Sequence, residues 1–425
     1  MNHRAAWLAL IGVLLGCAWG AGHVLAASSL DRSFGTPELG LSARLRGMGG
    51  AGGALGDGGL GLLDNPVSAV LSGDDAPGAL RLQASGDLAR QSEDRMVPLY
   101  DTFDDYVHET AIAINDHGYG AVNFGLAYAP RPLGGFVLSL SSVEAWDPRY
   151  DYQDERRSTA TTDQIVAERF ITTTGALRET GFGLAHALPF GLSAGAALHV
   201  YMGTFDDRDA LVPRQNGVTG YVNETRRALH GVSLALGAAW RANERLTGAV
   251  SWESGPRLSS KVTSWANDSV VVGPDVVMHE FRPPRVHMSS AYRPRNTVRT
   301  TFAADVVWCG WSQLTDIDEP SQPLLDTWDV RFGLEHRFVP SLPGRMGFRY
   351  ERCPYSREAD RAWFTFGMGW QVQRVAIDAG FEVGKRSSRQ DPLWPRAEQA
   401  GSVGAGQDLV QDTSGRATLG LEVKL

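Results

Sequence analysis

Three groupings in this chain have the residue types and spacing for chemistry. Gly191-Leu192-Ser193-Ala194-Gly195 has the Gly-x-Ser-x-Gly spacing that exposes a nucleophilic serine when it caps a strand-to-helix turn. Here Ser193 opens an alternating apolar/polar run, which indicates a strand. His199 lies on the same face of that run but six residues on, and no Asn or Asp partner can be nominated. Gly47-x-Gly49-x-x-Gly52 matches the dinucleotide fingerprint by letter. That fingerprint works between a buried strand and a helix N-terminus, and Leu41-Ser42-Ala43-Arg44-Leu45-Arg46 does not supply such a strand. Three cysteines cannot build a disulfide framework, and no Cys-x-x-Cys or His/Cys cluster suggests a structural metal. Cys309 and Cys353 fall near one rim of the expected architecture, where a bond requires the loop carrying Cys353 to fold back. The chain is therefore expected to be no enzyme and to need no cofactor. A net charge of -8 without a basic run also argues against nucleic-acid binding.

These residues must be held by elements, and the first is a targeting segment. Arg4 follows a short head, an apolar run covers Ala5 to Ala18, and small residues close it at Ala26-Ala27. Residues 1–27 are expected to be a secretory signal peptide. Leu14-Leu15-Gly16-Cys17 offers lipidation at Cys17 as the alternative. No later stretch is apolar for the ~18 residues that a spanning helix needs.

From Ala79 the dominant pattern is alternation with period two. Leu80, Leu82, Ala84 and Leu88 oppose Arg81, Gln83, Ser85 and Asp87, and Trp328, Val330, Phe332 and Leu334 oppose Asp329, Arg331, Gly333 and Glu335. The pattern predicts fourteen strands near 79–90, 118–129, 134–145, 174–188, 191–204, 227–241, 246–254, 284–293, 298–311, 327–339, 345–352, 362–371, 374–384 and 415–425. Long connections alternate with short ones, as in an outer-membrane barrel with long external loops and short periplasmic turns. Outward aromatics sort into two belts: Tyr128, Trp240, Tyr292, Phe338 and Trp370 below, and Trp252, Trp308, Trp328 and Tyr350 above. Lipid offers backbone groups no partner, so a spanning sheet must close on itself. The expected fold is all-β: a fourteen-stranded antiparallel transmembrane β-barrel over residues 79–425, surrounded by outer-membrane lipid.

Residues 28–78 do not alternate. Their glycine density suits a segment whose backbone packs closely against other walls, here as a plug inside the lumen. Gly47-Met48-Gly49-Gly50-Ala51, an Asp/Gly patch, and Asn65-Pro66-Val67-Ser68-Ala69-Val70 resemble the hatch signature of the FadL/TodX superfamily, which includes the PorV-like proteins. The stretch from Pro283 to Tyr292, running on to Trp308 and Trp311-Ser312-Gln313-Leu314, is similar to a strand pair of that family. Val67 departs from the usual Ala, and Leu425 from the usual terminal aromatic. The resemblance implies a fourteen-stranded barrel with an N-terminal hatch, Gly47, Gly49, Gly50, Asn65 and Pro66 being its motif residues. It also implies passive uptake of hydrophobic compounds of the long-chain fatty acid or hydrocarbon type, with sideways release through the wall. Gly134-Gly135 would permit distortion of the third strand.

Two expected loops carry unusual apolar content: Leu211, Val212 and Tyr221 in the third, and Trp265, Val271, Val272, Val277 and Met278 in the fourth. They either pack on one another or receive an apolar ligand; the resemblance favours the ligand. Ten charges, Asp87, Arg178, Arg227, Glu253, Asp305, Arg331, Glu335, Arg349, Asp378 and Glu382, are expected to face inward, two or three of them anchoring the plug or a ligand headgroup. The chain is expected to act as a monomer on a hydrophobic small molecule. The alternative is a PorV-like barrel that docks exported partner proteins at its outer loops, and an open porin is a third reading.

Overall fold

The computed structural model describes residues 40–100, 106–157, 165–266, 269–271, 277–295, 299–314, 324–390 and 407–425. The expected signal peptide, Cys17 and Val272 lie outside the described residues.

Among the described residues, eighteen strand segments form a single sheet. In chain order they are β1 (Leu80–Tyr100), β2 (Tyr106–Tyr128), β3 (Phe136–Trp146), β4 (Tyr150–Arg157), β5 (Ile165–Ala187) and β6 (Leu192–Pro213). There follow β7 (Tyr221–Arg241), β8 (Leu246–Glu253), β9 (Arg257–Ala266), β10 (Ser269–Val271), β11 (Val277–Phe281) and β12 (Arg285–Tyr292). The last are β13 (Thr300–Cys309), β14 (Thr327–Val339), β15 (Leu342–Glu351), β16 (Arg361–Val372), β17 (Val375–Gln390) and β18 (Asp408–Lys424). β3 and β4 both pair with β5, β8 and β9 both pair with β7, and β11 and β12 pair with β9 and β8. β10 also pairs with β9, so β3–β4, β8–β9 and β10–β11–β12 are each one stave broken by a bend, and the wall has fourteen staves. It closes where β1 pairs antiparallel with β18 from Arg81↔Lys424 to Met96↔Leu409.

Side chains sort by parity. Outward positions such as Phe124, Leu140, Phe182, Leu198, Leu236, Phe332, Phe364 and Leu419 are exposed, whereas Arg81, Gln83, Ser85 and Asp87 are buried in the interior. Register puts Trp252, Val286, Trp308 and Trp328 side by side at one level. The barrel thus presents an apolar band with aromatic edges and buries its polar face, as a membrane-spanning barrel must.

Several expected long loops are strand. β1, β2, β5, β6 and β7 run for 21, 23, 23, 22 and 21 residues, against the ~9–11 that cross a bilayer. Above Met202 the outward residues of β6 and β7 turn charged and pair across strands, Arg226 with Asp206 at 2.5 Å and Arg208 with Glu224 at 3.3 Å. The ladder continues into water while the apolar alternation stops.

The wall is uneven at β3. β2 pairs with β3 only from Phe124↔Ser142 to Tyr128↔Leu138, whereas β3 follows β5 up to Trp146↔Leu177. Beyond Ser142, Glu144, Ala145, Trp146 and Asp147 are all buried, and β3 has left β2. Gly134 and Gly135 sit in the turn before β3, Gly135 with φ +81°, so they do not make this bend.

Candidate functional site

Residues 40–78 pack against the inner face of the wall. Helical turns at Ala43–Arg46 and Ser68–Leu71 are linked by the glycine-rich stretch. Ser42 caps the first turn by accepting from the Leu45 amide at 3.2 Å. Glycine meets glycine at the contact: a Cβ on Gly347 would lie 2.4 Å from the Gly49 amide, and one on Gly59 2.3 Å from the Leu126 amide. Gly49 also has φ +67°, where a side chain is strained whatever the space. Gly47 packs on Gly367, and Gly50 beside Arg331. Asn65 is buried, accepts from the Val67 amide at 3.2 Å and donates to the Gly53 carbonyl at 3.4 Å. Asn65 and Pro66 occupy the space that a side chain at Gly237 would need.

Charge holds this segment along β13–β18 and β1. Arg46, fully buried, pairs with Glu382 at 2.5 Å and Asp87 at 3.2 Å, and donates to Thr418. Arg44 reaches Glu335 at 3.1 Å, the Gly52 and Gly53 amides donate to Asp305 at 2.8 and 3.1 Å, and Arg331 donates to the Gly50 carbonyl at 3.3 Å. Five of the ten expected inward charges therefore anchor the segment, more than the two or three anticipated. One of the ten is corrected: Arg178 shares the outward parity of Phe182 and Leu184. Asp57, within the segment, is pushed up to about 7, chiefly by burial, with Arg44 opposing.

The opposite wall carries an apolar cluster beside buried charges. Trp146, Leu177, Tyr201, Phe205, Leu229 and Leu258 form one buried cluster with Ala145, Trp146 and Phe205 meeting edge to face at 5.2 Å. Below it a cavity of about 40 Å³ separates the segment from the wall. Leu41, Leu45, Leu60, Leu63 and Val143 supply its apolar lining, and Glu179, Arg282 and Arg285 its charges. The β2/β3 seam lies beside it. There the side chains of Arg178 and Arg149 donate to the β2 carbonyls of Val122 and Gly120, and Asn123 accepts from the Glu144 amide at 3.1 Å. These bonds substitute for the missing ladder. Asn123 and Arg149 are not legible as seam residues from the chain alone, because a backbone gap leaves no residue pattern.

The expected loop residues do not gather on one face. Leu211 and Tyr221 pair across β6 and β7 on the lumen side, and Tyr221 donates to Asp209 at 3.3 Å. Val212 has outward parity and is exposed, and Trp265 on β9 shares the outward parity of Arg257 and Lys261. Val271 falls on β10 and Val277 and Met278 on β11, their side chains lying outside the described residues. All of them except Val272 are thus in strands, not loops. Ser193 is buried in β6 directly after a 3-10 turn (Pro189–Gly191), with no helix following, so no nucleophile elbow exists there. Gly47-x-Gly49-x-x-Gly52 follows a helical turn, not a strand. Cys309 and Cys353 remain thiols, each half-buried.

A closed, lipid-facing barrel of fourteen staves with a segment folded against its inner wall defines the class: a membrane-spanning β-barrel. No protein-family model matches the sequence, and no curated protein matches it. Among solved structures, the fold is similar to the Pseudomonas aeruginosa FadL homologue, with TM-score 0.62 at 14% identity over 92% of this chain and 99% of that one. It is likewise similar to the toluene transporter TodX of P. putida, with TM-score 0.65 at 12% identity over 91% and 99%. The toluene transporter TbuX of Ralstonia pickettii gives TM-score 0.63 at 15% identity over 91% and 99%. At these identities the likeness establishes the fold.

Proposed function

We propose that the chain is an outer-membrane channel for passive uptake of hydrophobic small molecules, of the long-chain fatty acid or hydrocarbon type. The observation that carries this reading is the division of the lumen. A buried apolar cluster from Trp146 to Leu258 leads to the cavity beside residues 40–78, and that cavity abuts the β2/β3 seam. A ligand enters between the strand extensions near Leu211, Tyr221 and the β9–β11 residues, gaining ~25 cal/mol for each Å² of apolar surface removed from water. It descends the apolar side and leaves sideways at the seam. The similar fold of two toluene transporters and a FadL homologue supports this reading. A cavity of about 40 Å³ holds roughly three waters, far below the roughly 300 Å³ of a small-ligand pocket. Residues 40–78 therefore act as a plug that shifts during passage. The path needs no energy source and runs down a gradient.

Saturable binding of oleate or toluene to the detergent-purified protein, weakened by Val271→Asp and Val277→Asp together, is the expected result. Binding that these changes leave intact removes the entry groove from the account. A stoichiometric copurifying exported protein with no bound apolar compound would favour docking instead.

A further inference from the structure

The short-turn end of the barrel carries a row of arginines. Residues 241–246, 293–299 and 337–342 hold Arg241, Arg245, Arg293, Arg295, Arg299 and Arg337 against one acid, Glu244. All six arginines are exposed. They cluster at the lower ends of β7, β8, β12, β13 and β14, which follow one another around the wall. Such neighbours stand ~4.8 Å apart. The Arg293 amide donates to the Arg245 carbonyl at 2.8 Å and the Arg337 amide to the Arg299 carbonyl at 2.9 Å, so these guanidiniums start from adjacent backbone. Among the described residues, one carboxylate approaches the row: Glu335, 4.0 Å from Arg337. Arg241 and Arg299 reach only carbonyls, of Leu71 at 3.4 Å and Phe338 at 3.3 Å. The opposite end differs, for there Arg208 and Arg226 each face a carboxylate across the strand.

We infer that this row binds the phosphates of anionic phospholipids in the leaflet that faces the periplasm. Like charges this close repel one another unless an anion comes between them. Guanidinium forks match phosphate oxygens two at a time, which favours phosphate over a diffuse counterion. The aromatic neighbours identify the source of that phosphate. Trp240, Tyr292 and Phe338 adjoin Arg241, Arg293 and Arg337 in the chain and are exposed at the lower edge of the apolar band. Rings of this kind sit at headgroup depth, so the guanidiniums beside them stand where lipid phosphates lie. A soluble acidic partner would need no such continuity with the lipid-facing surface. The row does not rest on the transport reading, since it follows from the turns and the register of five strands.

The test is native mass spectrometry of the full, detergent-purified protein given equal amounts of dioleoylphosphatidylglycerol and dioleoylphosphatidylcholine. Preferential retention of the anionic lipid, weakening as ionic strength rises, is expected. Arg245→Gln, Arg293→Gln and Arg299→Gln together should cut that retention roughly tenfold, since each arginine adds attraction to an anionic headgroup. Arg208→Gln with Arg226→Gln, at the opposite end, should leave it unchanged. Heat-modifiable gel migration confirms that each variant is folded. Equal retention of the two lipids overturns the proposal, as does a preference that the triple change leaves intact or the control pair removes. So does capture of a polyglutamate peptide by a chain that shows no lipid preference.

Discussion

Residues 40–78 meet two unlike walls. Toward β13–β18 and β1 they are held by buried ion pairs and by backbone pressed on backbone at glycines. Toward β2–β8 they are held by small apolar side chains, Val67, Ala69 and Val70 against Ala127, Val137, Ala185 and Ala239, with the cavity and the seam alongside. The first contact is directional and has no slack, because each buried charge depends on its partner. The second mixes apolar contact with backbone contact at Gly59 and Leu126 and a Ser251 hydroxyl that donates to the Asp64 carbonyl, and it depends less on charge. One side is therefore the anchor and the other the side that yields.

The sharpest way to break this contrast is to fill the anchor. Gly347→Val places a side chain where the Met48 carbonyl and Gly49 amide already sit, and it should expel the segment. Trypsin should then cleave after Arg44 or Arg46 in the folded, detergent-solubilised barrel, at sites the native protein protects. Arg46→Ala comes next: it strips one partner from Glu382 and Asp87, and should cost about 3–5 kcal/mol in denaturant unfolding of the segment. On the yielding side, Leu62→Ala opens space beside Gly181 and Gly183 and should cost only about 2–3 kcal/mol by the same measurement. Equal losses at Arg46 and Leu62 would erase the distinction.

The smallest effect is one of pH. The Asp57 carboxyl titrates near 7 in the folded segment, above its ordinary 3.8. The folded form then binds more protons than the unfolded one between those values, so docking should weaken as pH rises from about 4 to about 7. Asp57→Asn should flatten that slope, read as trypsin protection against pH.

The fourteen crossings were legible because they alternate apolar and polar faces, as in Leu82/Gln83 or Phe332/Arg331. The strand extensions were not, since Asp206, Arg208, Glu224 and Arg226 keep the ladder with cross-strand charge pairs that alternation cannot reveal. The Gly47 and Asn65 stretches pack closely on the wall, but which charges receive them depends on register. Arg178 was misplaced because a charge on a strand normally avoids lipid, whereas here the gap above Ser142 offers it a backbone carbonyl.

The proposal that residues 40–78 stopper the barrel is tested most directly by conductance in planar lipid bilayers. The native chain should pass almost no ions, and a chain lacking residues 40–78 should open large, steady steps. Large steps from the native chain, equal to those of the shortened one, would contradict it.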